Sequence, residues 1–251
     1  MWSLDLWNSP PLWRPGEAGE AILAFTTRLG GVSATPYDSL NLGRSTGDLA
    51  ATVSENRHRV LAALGLDPGR LATAGQVHGA GVASVSAPGH TEGCDVLVTR
   101  TPALAVAVTS ADCLPILFVS RDAVAAAHAG WRGILAGAPR AALAALCAAG
   151  GVPPEGVQAH FGPCIRPCCY EVGIEVASQF PDAALSLVGG ALRLDLAVAA
   201  RLQLLEAGLP AGALSDTGVC TACEVSRYYS HRRDAGRTGR HWGIVALRAR
   251  A

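Results

Sequence analysis

Three side chains in this sequence are candidates to hold a transition metal together: His78, Cys113 and His128. Together they offer two imidazole nitrogens and one thiolate sulfur, a set that leaves a fourth position on zinc for water or substrate. Their separations of 35 and 15 residues match no local metal motif, so only folding can bring them together. Asp112, next to the cysteine, has the chemistry to orient a ligand or to move a proton. The same Cys-His pair also suits a metal-free nucleophile and base, as in thiol hydrolases. A third reading makes Cys113 a small core hydrophobe and His128 a satisfied turn histidine. Residue type alone leaves the three open.

The stretch Thr109–Gly133 carries Asp112, Cys113, His128, Trp131 and Arg132 beside apolar runs that read as strands. DVLVT, ALAVAVT, LPILFVS and AVAAAH follow too closely for a helix between each pair, so the central sheet is expected to be antiparallel or mixed. His128 ends the last of these runs, and AGWRG leads into a helical pattern with an expected interruption at Pro139. A strand-to-helix turn there would present free amides to an anion, with Arg132 beside it.

Earlier in the chain, AILAFTT at 21–27 reads as a strand, and the polar segment after Arg28 runs irregularly to Gly43. Asp48 is the expected cap of a helix to about Leu64, with Val53, Val60, Leu61 and Leu64 on its apolar face. Asn56 and Arg57 then fall on what reads as the solvated face. His78 lies beside glycine at the mouth of a short strand. Downstream, VQAHFGP reads as a strand, and GIEVASQF and DLAVAARLQLLEAG as helices, the second opened by Asp195 and closed by Gly208. GIVAL is a final strand. No repeat or low-complexity linker divides the chain, which reads as a loose arm over 1–20 and one α/β domain over 21–251.

Composition excludes several chemistries. Twenty basic and twenty acidic residues balance, so no net field draws the chain to nucleic acid or a membrane surface. Every one of the twenty cations is arginine, which rules out a Schiff-base lysine and a Walker-type phosphate loop. An anion site must therefore use guanidinium forks and backbone amides. No apolar run reaches the roughly 18 residues of a membrane span, and the N-terminus lacks the pattern of a signal peptide. The cytoplasm is the expected compartment. The eight cysteines then read as thiols rather than as a disulfide framework. Cys220 and Cys223 form a lone CxxC, and Cys164, Cys168 and Cys169 are the cluster that could complete a structural zinc site with it.

The motifs in order are TTRLGGVS with YDSLNLG, the NR of the first helix, QVHG, ADCLP, HAGWRG, GPCI with CYEVG, and YYSHRRD with TGR. They resemble the polyphenol oxidase or multicopper laccase-domain family, whose members are also described as purine nucleoside phosphorylases. The resemblance runs from about Phe25 to Leu247. It implies a layered α/β/β/α arrangement with mixed sheets, similar to the catalytic domain of the cytotoxic necrotizing factors. It implies that His78 of QVHG, Cys113 of ADC and His128 of HAGWRG are metal ligands, with zinc expected and copper as the alternative. Arg28 of TTR, Asn41 of LNLG and Arg57 of NR match positions expected to bind phosphate or substrate, and Arg132 joins them from the residues alone.

The resemblance carries two activities. A multicopper oxidase needs many copper-ligating imidazoles and usually an axial methionine, whereas this chain has Met1 alone and seven histidines, no two in an HxH pair. One copper at His78, Cys113 and His128 remains compatible; the full multicopper mechanism does not. Metal-dependent phosphorolysis of adenosine, inosine, guanosine and methylthioadenosine, with adenosine deamination beside it, fits better. C6 and C1′ of a nucleoside lie far apart, so one metal serving both reactions implies two binding orientations or two metal roles. The third alternative is a non-catalytic metal or redox module. Purine nucleosides and phosphate are the expected partners, the chain a monomer or small homo-oligomer, and specificity is expected to depend on Tyr37 and the Arg227–Arg240 tail.

Overall fold

The structure is a computed structural model, and it describes residues 2–5, 9–15 and 19–249. Strands β1 (Trp2–Asp5), β2 (Leu12–Pro15) and β3 (Ala21–Thr26) precede helix α1 (Ala50–Ala63). Then come β4 (Leu71–Gly75), β5 (Val82–Ser84), β6 (Gly89–Glu92), β7 (Val96–Thr99), β8 (Ala105–Ser110), β9 (Leu114–Val119) and β10 (Val124–Ala129). Helices α2 (Trp131–Leu135) and α3 (Ala138–Gly150) follow, then β11 (Gln158–Phe161), α4 (Ile174–Ala177), β12 (Leu185–Val188) and β13 (Ala191–Leu194). The described chain closes with α5 (Leu196–Glu206), β14 (Leu214–Asp216) and β15 (His241–Leu247).

Among the described residues, the strands form one sheet in the order β1-β2-β3-β15-β8-β4-β6, a second in the order β14-β11-β9-β10-β7-β5, and the small hairpin β12-β13. Both large sheets are mixed: β4 is parallel to its neighbours β6 and β8, and β5 to β7, while β9, β10 and β7 run antiparallel.

The period-2 alternation of the strands sets the layers. Leu97, Leu117, Val124 and Ala126 of the second sheet pack with Leu23, Phe25, Val106, Val108 and Val245 of the first, making the core between the sheets. Their strand neighbours Val96, Val98, Ile116, Phe118 and Ala125 point the other way, onto Ala142, Leu143 and Leu146 of α3 and Ala199, Ala200 and Leu204 of α5. On the far side of the first sheet, Ala24, Ala105, Ala107 and Ile244 meet Val60 and Leu61 of α1. The order is thus α/β/β/α. Each wholly buried Leu or Phe contributes about 1.5–3 kcal/mol to this packing. No helix of the described residues is long and apolar enough to cross a membrane.

Several expectations need correction. Residues 2–5 and 12–15, expected to be loose, are strands at one end of the first sheet, with β1 at its edge: the Trp2 ring lies 5.0 Å from that of Phe25, and its Nε1 donates to Ser215 Oγ. Asp48 does not cap α1; the N-cap is Leu49, and the Asp48 carboxylate accepts from Ser33, Asn41 and the Leu49 amide. The break between α2 and α3 falls at Gly137, whose φ of +86° ends the first turn, while Pro139 sits comfortably in the first turn of α3. Only one turn of GIEVASQF is helical. Asn56 and Arg57 are buried, because the 28–43 loop folds over the face of α1 that carries them.

Candidate metal centre and cavity

His78 sits in the loop after β4 with a left-handed φ of 62°, an uncommon conformation for a residue with a side chain. Three consecutive amides hold that loop: Val77, His78 and Gly79 each donate to the Asp95 carboxylate, at 3.1, 3.0 and 2.8 Å. Asp95 immediately precedes β7 and is fully buried. Its Oδ1 also lies 2.8 Å from His128 Nδ1. An ionised carboxylate only accepts, so Nδ1 carries the proton and Nε2 is the nitrogen free to take a metal.

Cys113 lies between β8 and β9, just before Leu114 begins the latter. The ligand atoms of His78, Cys113 and His128 stand within 4.8 Å of one another. Gly130 makes this approach feasible, since a Cβ there would come 2.8 Å from Cys113 Sγ. Burial opposes ionisation of the Cys113 thiol, but His128 and His78 beside it outweigh that and hold its pKa down to about 6. Burial likewise opposes charge on His128, yet the Cys113 thiolate and the Asp95 carboxylate raise it to about 9. Asp95 is held below the usual carboxylate range: burial works against its charge, and the bonds from His128 and the loop amides prevail. In donor chemistry and in the carboxylate behind the histidine, the cluster fits a divalent transition metal.

A cavity of about 670 Å³ opens over these ligands. Five arginines line it, Arg44, Arg57, Arg132, Arg232 and Arg240, against the acids Glu92 and Asp112. Arg57 donates through Nε and Nη2 to the Leu42 carbonyl, and its guanidinium lies 5.1 Å from the Trp242 ring. Its remaining nitrogen, Nη1, is buried without a partner. Burial first, and Arg44 second, lower the Arg57 pKa to about 10, which leaves it charged at neutral pH. Arg132 is exposed, with its guanidinium 4.1 Å over Trp131. The helix after His128 is the five-residue α2, too short to offer a developed helix terminus to an anion, which leaves the guanidinium groups as the candidate anion donors.

Other expected site residues are placed differently. Arg28 is spent on Asp38 and the Val225 carbonyl and stacks over Tyr229 at 4.7 Å. Asn41 is wholly buried, donating to Thr46 and Asp48 and accepting from the amides of Gly43 and Arg240. Neither lines the cavity; both shape the loop that carries Arg44. Asp112 adopts a φ of 89°, and its carboxylate accepts from Thr221, Ser230 and the Arg232 amide at 2.6, 3.0 and 2.7 Å. It ties the segment between β14 and β15 to the turn that carries Cys113.

The profile of a family described as multi-copper polyphenol oxidoreductase laccase matches residues 22–248. The chain belongs to this family. Its relatives include a purine nucleoside phosphorylase of Deinococcus radiodurans, 43% identical over 230 residues, with 89% of this chain and 88% of that protein covered. The purine nucleoside phosphorylase YfiH of Escherichia coli K12 is 40% identical over 246 residues, covering 94% of this chain and 97% of that one. Among solved structures, YlmD from Geobacillus stearothermophilus superposes with a TM-score of 0.90 at 34% identity, over 95% of this chain and 96% of that one. The superposition shows that the chain shares the mixed α/β fold of YlmD. Sequence reasoning missed Asp95 and Arg44, and reached Arg232 and Arg240 only as parts of the Arg227–Arg240 tail. Asp95 had a signal, as an acid opening the apolar run of VLVT, where a charge survives only if it is paired.

Proposed function

We propose that this chain is a zinc-dependent purine nucleoside phosphorylase acting on adenosine, inosine, guanosine and methylthioadenosine, with adenosine deamination as a second reaction in the same cavity. The observation that carries the reading is the partnerless Nη1 of Arg57 in a cavity wall shared with the His78, Cys113 and His128 cluster. A buried guanidinium nitrogen without an acceptor is costly, and an oxyanion supplies what it lacks. Arg44 and Arg240 reinforce that wall, so phosphate is the anion the site suits best.

In phosphorolysis a phosphate oxygen forms a bond to C1′ as the C1′–N9 bond breaks, and the base leaves with the bonding pair and takes up a proton. Arg57, Arg44 and Arg240 hold the nucleophile and spread its charge. The ring of Tyr170 and the stacked Trp131–Arg132 pair offer flat surfaces to a purine. Zinc held by His78, Cys113 and His128 would supply a Lewis acid in the same cavity. Asp112 acts as a positioning residue, because its carboxylate is already taken by three donors. Deamination adds water at C6 and releases ammonia, and it calls for a second substrate orientation or a second role for the metal.

Copper-dependent phenol oxidation is the competing reading, favoured by the family's description. The donor set admits one copper, but seven histidines without an HxH pair leave no multicopper cluster within the chain. The deciding test incubates the purified protein with inosine, with and without phosphate, and follows hypoxanthine and ribose 1-phosphate. Phosphate-dependent release of both is expected. Phenol oxidation without nucleoside cleavage would establish the alternative, and no turnover of either would leave a non-catalytic metal module.

A further inference from the structure

Away from the His78, Cys113 and His128 cluster, four more cysteines converge from two loops. Cys168 and Cys169 belong to the loop after β11, and Cys220 and Cys223 to the loop after β14. Their sulfurs all lie within 4.8 Å of one another. Cys223 Sγ is 3.5 Å from that of Cys168 and 3.3 Å from that of Cys169. A disulfide needs about 2.05 Å between sulfurs, and all four thiols are free. Four thiolates around one tetrahedral zinc at about 2.3 Å stand about 3.8 Å apart, which is the scale of this cluster. An iron–sulfur cluster, in which each cysteine takes its own iron, spreads its sulfurs more widely.

The scaffold around the four is already closed. Cys164 bridges Cys220 in parallel, the Thr221 amide donates to the Cys164 carbonyl at 3.0 Å, and Arg166 forms a two-pronged ion pair with Asp216. Cys168 and Cys223 are exposed, giving an ion a way in, while Cys220 is buried. Cys164 stays in the hydrophobic core and takes no part.

We propose that Cys168, Cys169, Cys220 and Cys223 bind a second zinc ion as a structural tetrathiolate. Binding releases the thiol protons and moves no electrons. The ion clamps the two loops that wall the cavity: Tyr170 follows Cys169 directly, and Thr221, between the two CxxC cysteines, donates to Asp112 beneath Cys113. The Arg233 guanidinium fastens the same loop through the Thr221 carbonyl at 3.0 Å.

The test is zinc content with X-ray absorption on protein prepared under reducing conditions. Wild type is expected to carry two zinc ions per chain. The Cys113→Ala variant should retain one, with an all-sulfur shell at about 2.3 Å; this arm needs no change in the four-cysteine cluster. Cys220→Ser/Cys223→Ser should retain one ion with nitrogen in its shell and melt at a lower temperature than wild type. The proposal fails if Cys113→Ala holds no zinc, or holds it without the all-sulfur shell. It fails equally if the four thiols are found as disulfides, or if iron and sulfide occupy them.

Discussion

The Oδ1 of Asp95 lies 2.8 Å from Nδ1 of His128, with both side chains almost entirely out of solvent. The same carboxylate takes the amides of Val77, His78 and Gly79. One buried charge therefore sets the tautomer of one expected metal ligand and the backbone of another.

Asp95→Asn should weaken both functions at once. An amide cannot accept from all four donors, and the His128 imidazole loses the partner that raises its basicity. Metal affinity is expected to drop about 10–100-fold, read by chelator competition, with nucleoside cleavage falling alongside. Unchanged affinity would mean that the carboxylate only braces the loop.

Gly130→Ala should damage the centre without unfolding the chain. The added methyl would meet Cys113 Sγ at 2.8 Å and His78 Cδ2 at 3.5 Å, so the ligands must move rather than the core. Zinc per chain and cleavage rate should both fall, while the melting temperature of metal-free protein changes by only a few degrees. A variant that binds zinc as wild type does would show that the ligands have slack.

The metal-free centre has a readable pH dependence. The Cys113 pKa is held down to about 6 and that of His128 is raised to about 9, so between those values a thiolate faces an imidazolium. Below about 6 the thiol regains its proton; above about 9 the imidazolium loses one and the thiolate remains. Iodoacetamide labelling of Cys113, followed by peptide mass spectrometry, should therefore rise with a midpoint near 6 and then level off. A midpoint near that of a free thiol, about 8.5, would contradict the pairing.

Arg44→Ala should raise the phosphate KM roughly tenfold, the loss of one charged hydrogen bond, and leave stability unchanged because Arg44 is exposed. Arg57→Lys should act more strongly: an ammonium cannot both hold the Leu42 carbonyl through a fork and reach the anion. Steady-state kinetics with phosphate varied checks both, and an unchanged phosphate KM in both variants would remove phosphate from this wall.

Much of the architecture was legible because β7 to β10 are apolar runs too close together for helices between them, and their alternation assigns each face a layer. The three metal-ligand types were visible in their motifs. Asn56 and Arg57 misled because helical periodicity gives their angle on α1 but not what covers it, and the 28–43 loop covers them. Arg28 and Asn41 are polar residues whose partners, Asp38, Thr46 and the Arg240 amide, are fixed only by the path of that loop. Strands β1 and β2 escaped notice because they are four residues each, and their pairing depends on the distant edge of β3.

The most direct measurement compares phosphate-dependent inosine cleavage by wild type and Cys113→Ala, each with its zinc counted. Removing the thiolate takes one of three donors from the centre at His78, Cys113 and His128. The account predicts loss of the ion from that centre together with loss of hypoxanthine and ribose 1-phosphate formation. Cleavage that persists at the wild-type rate after that ion and the thiolate are gone would contradict it.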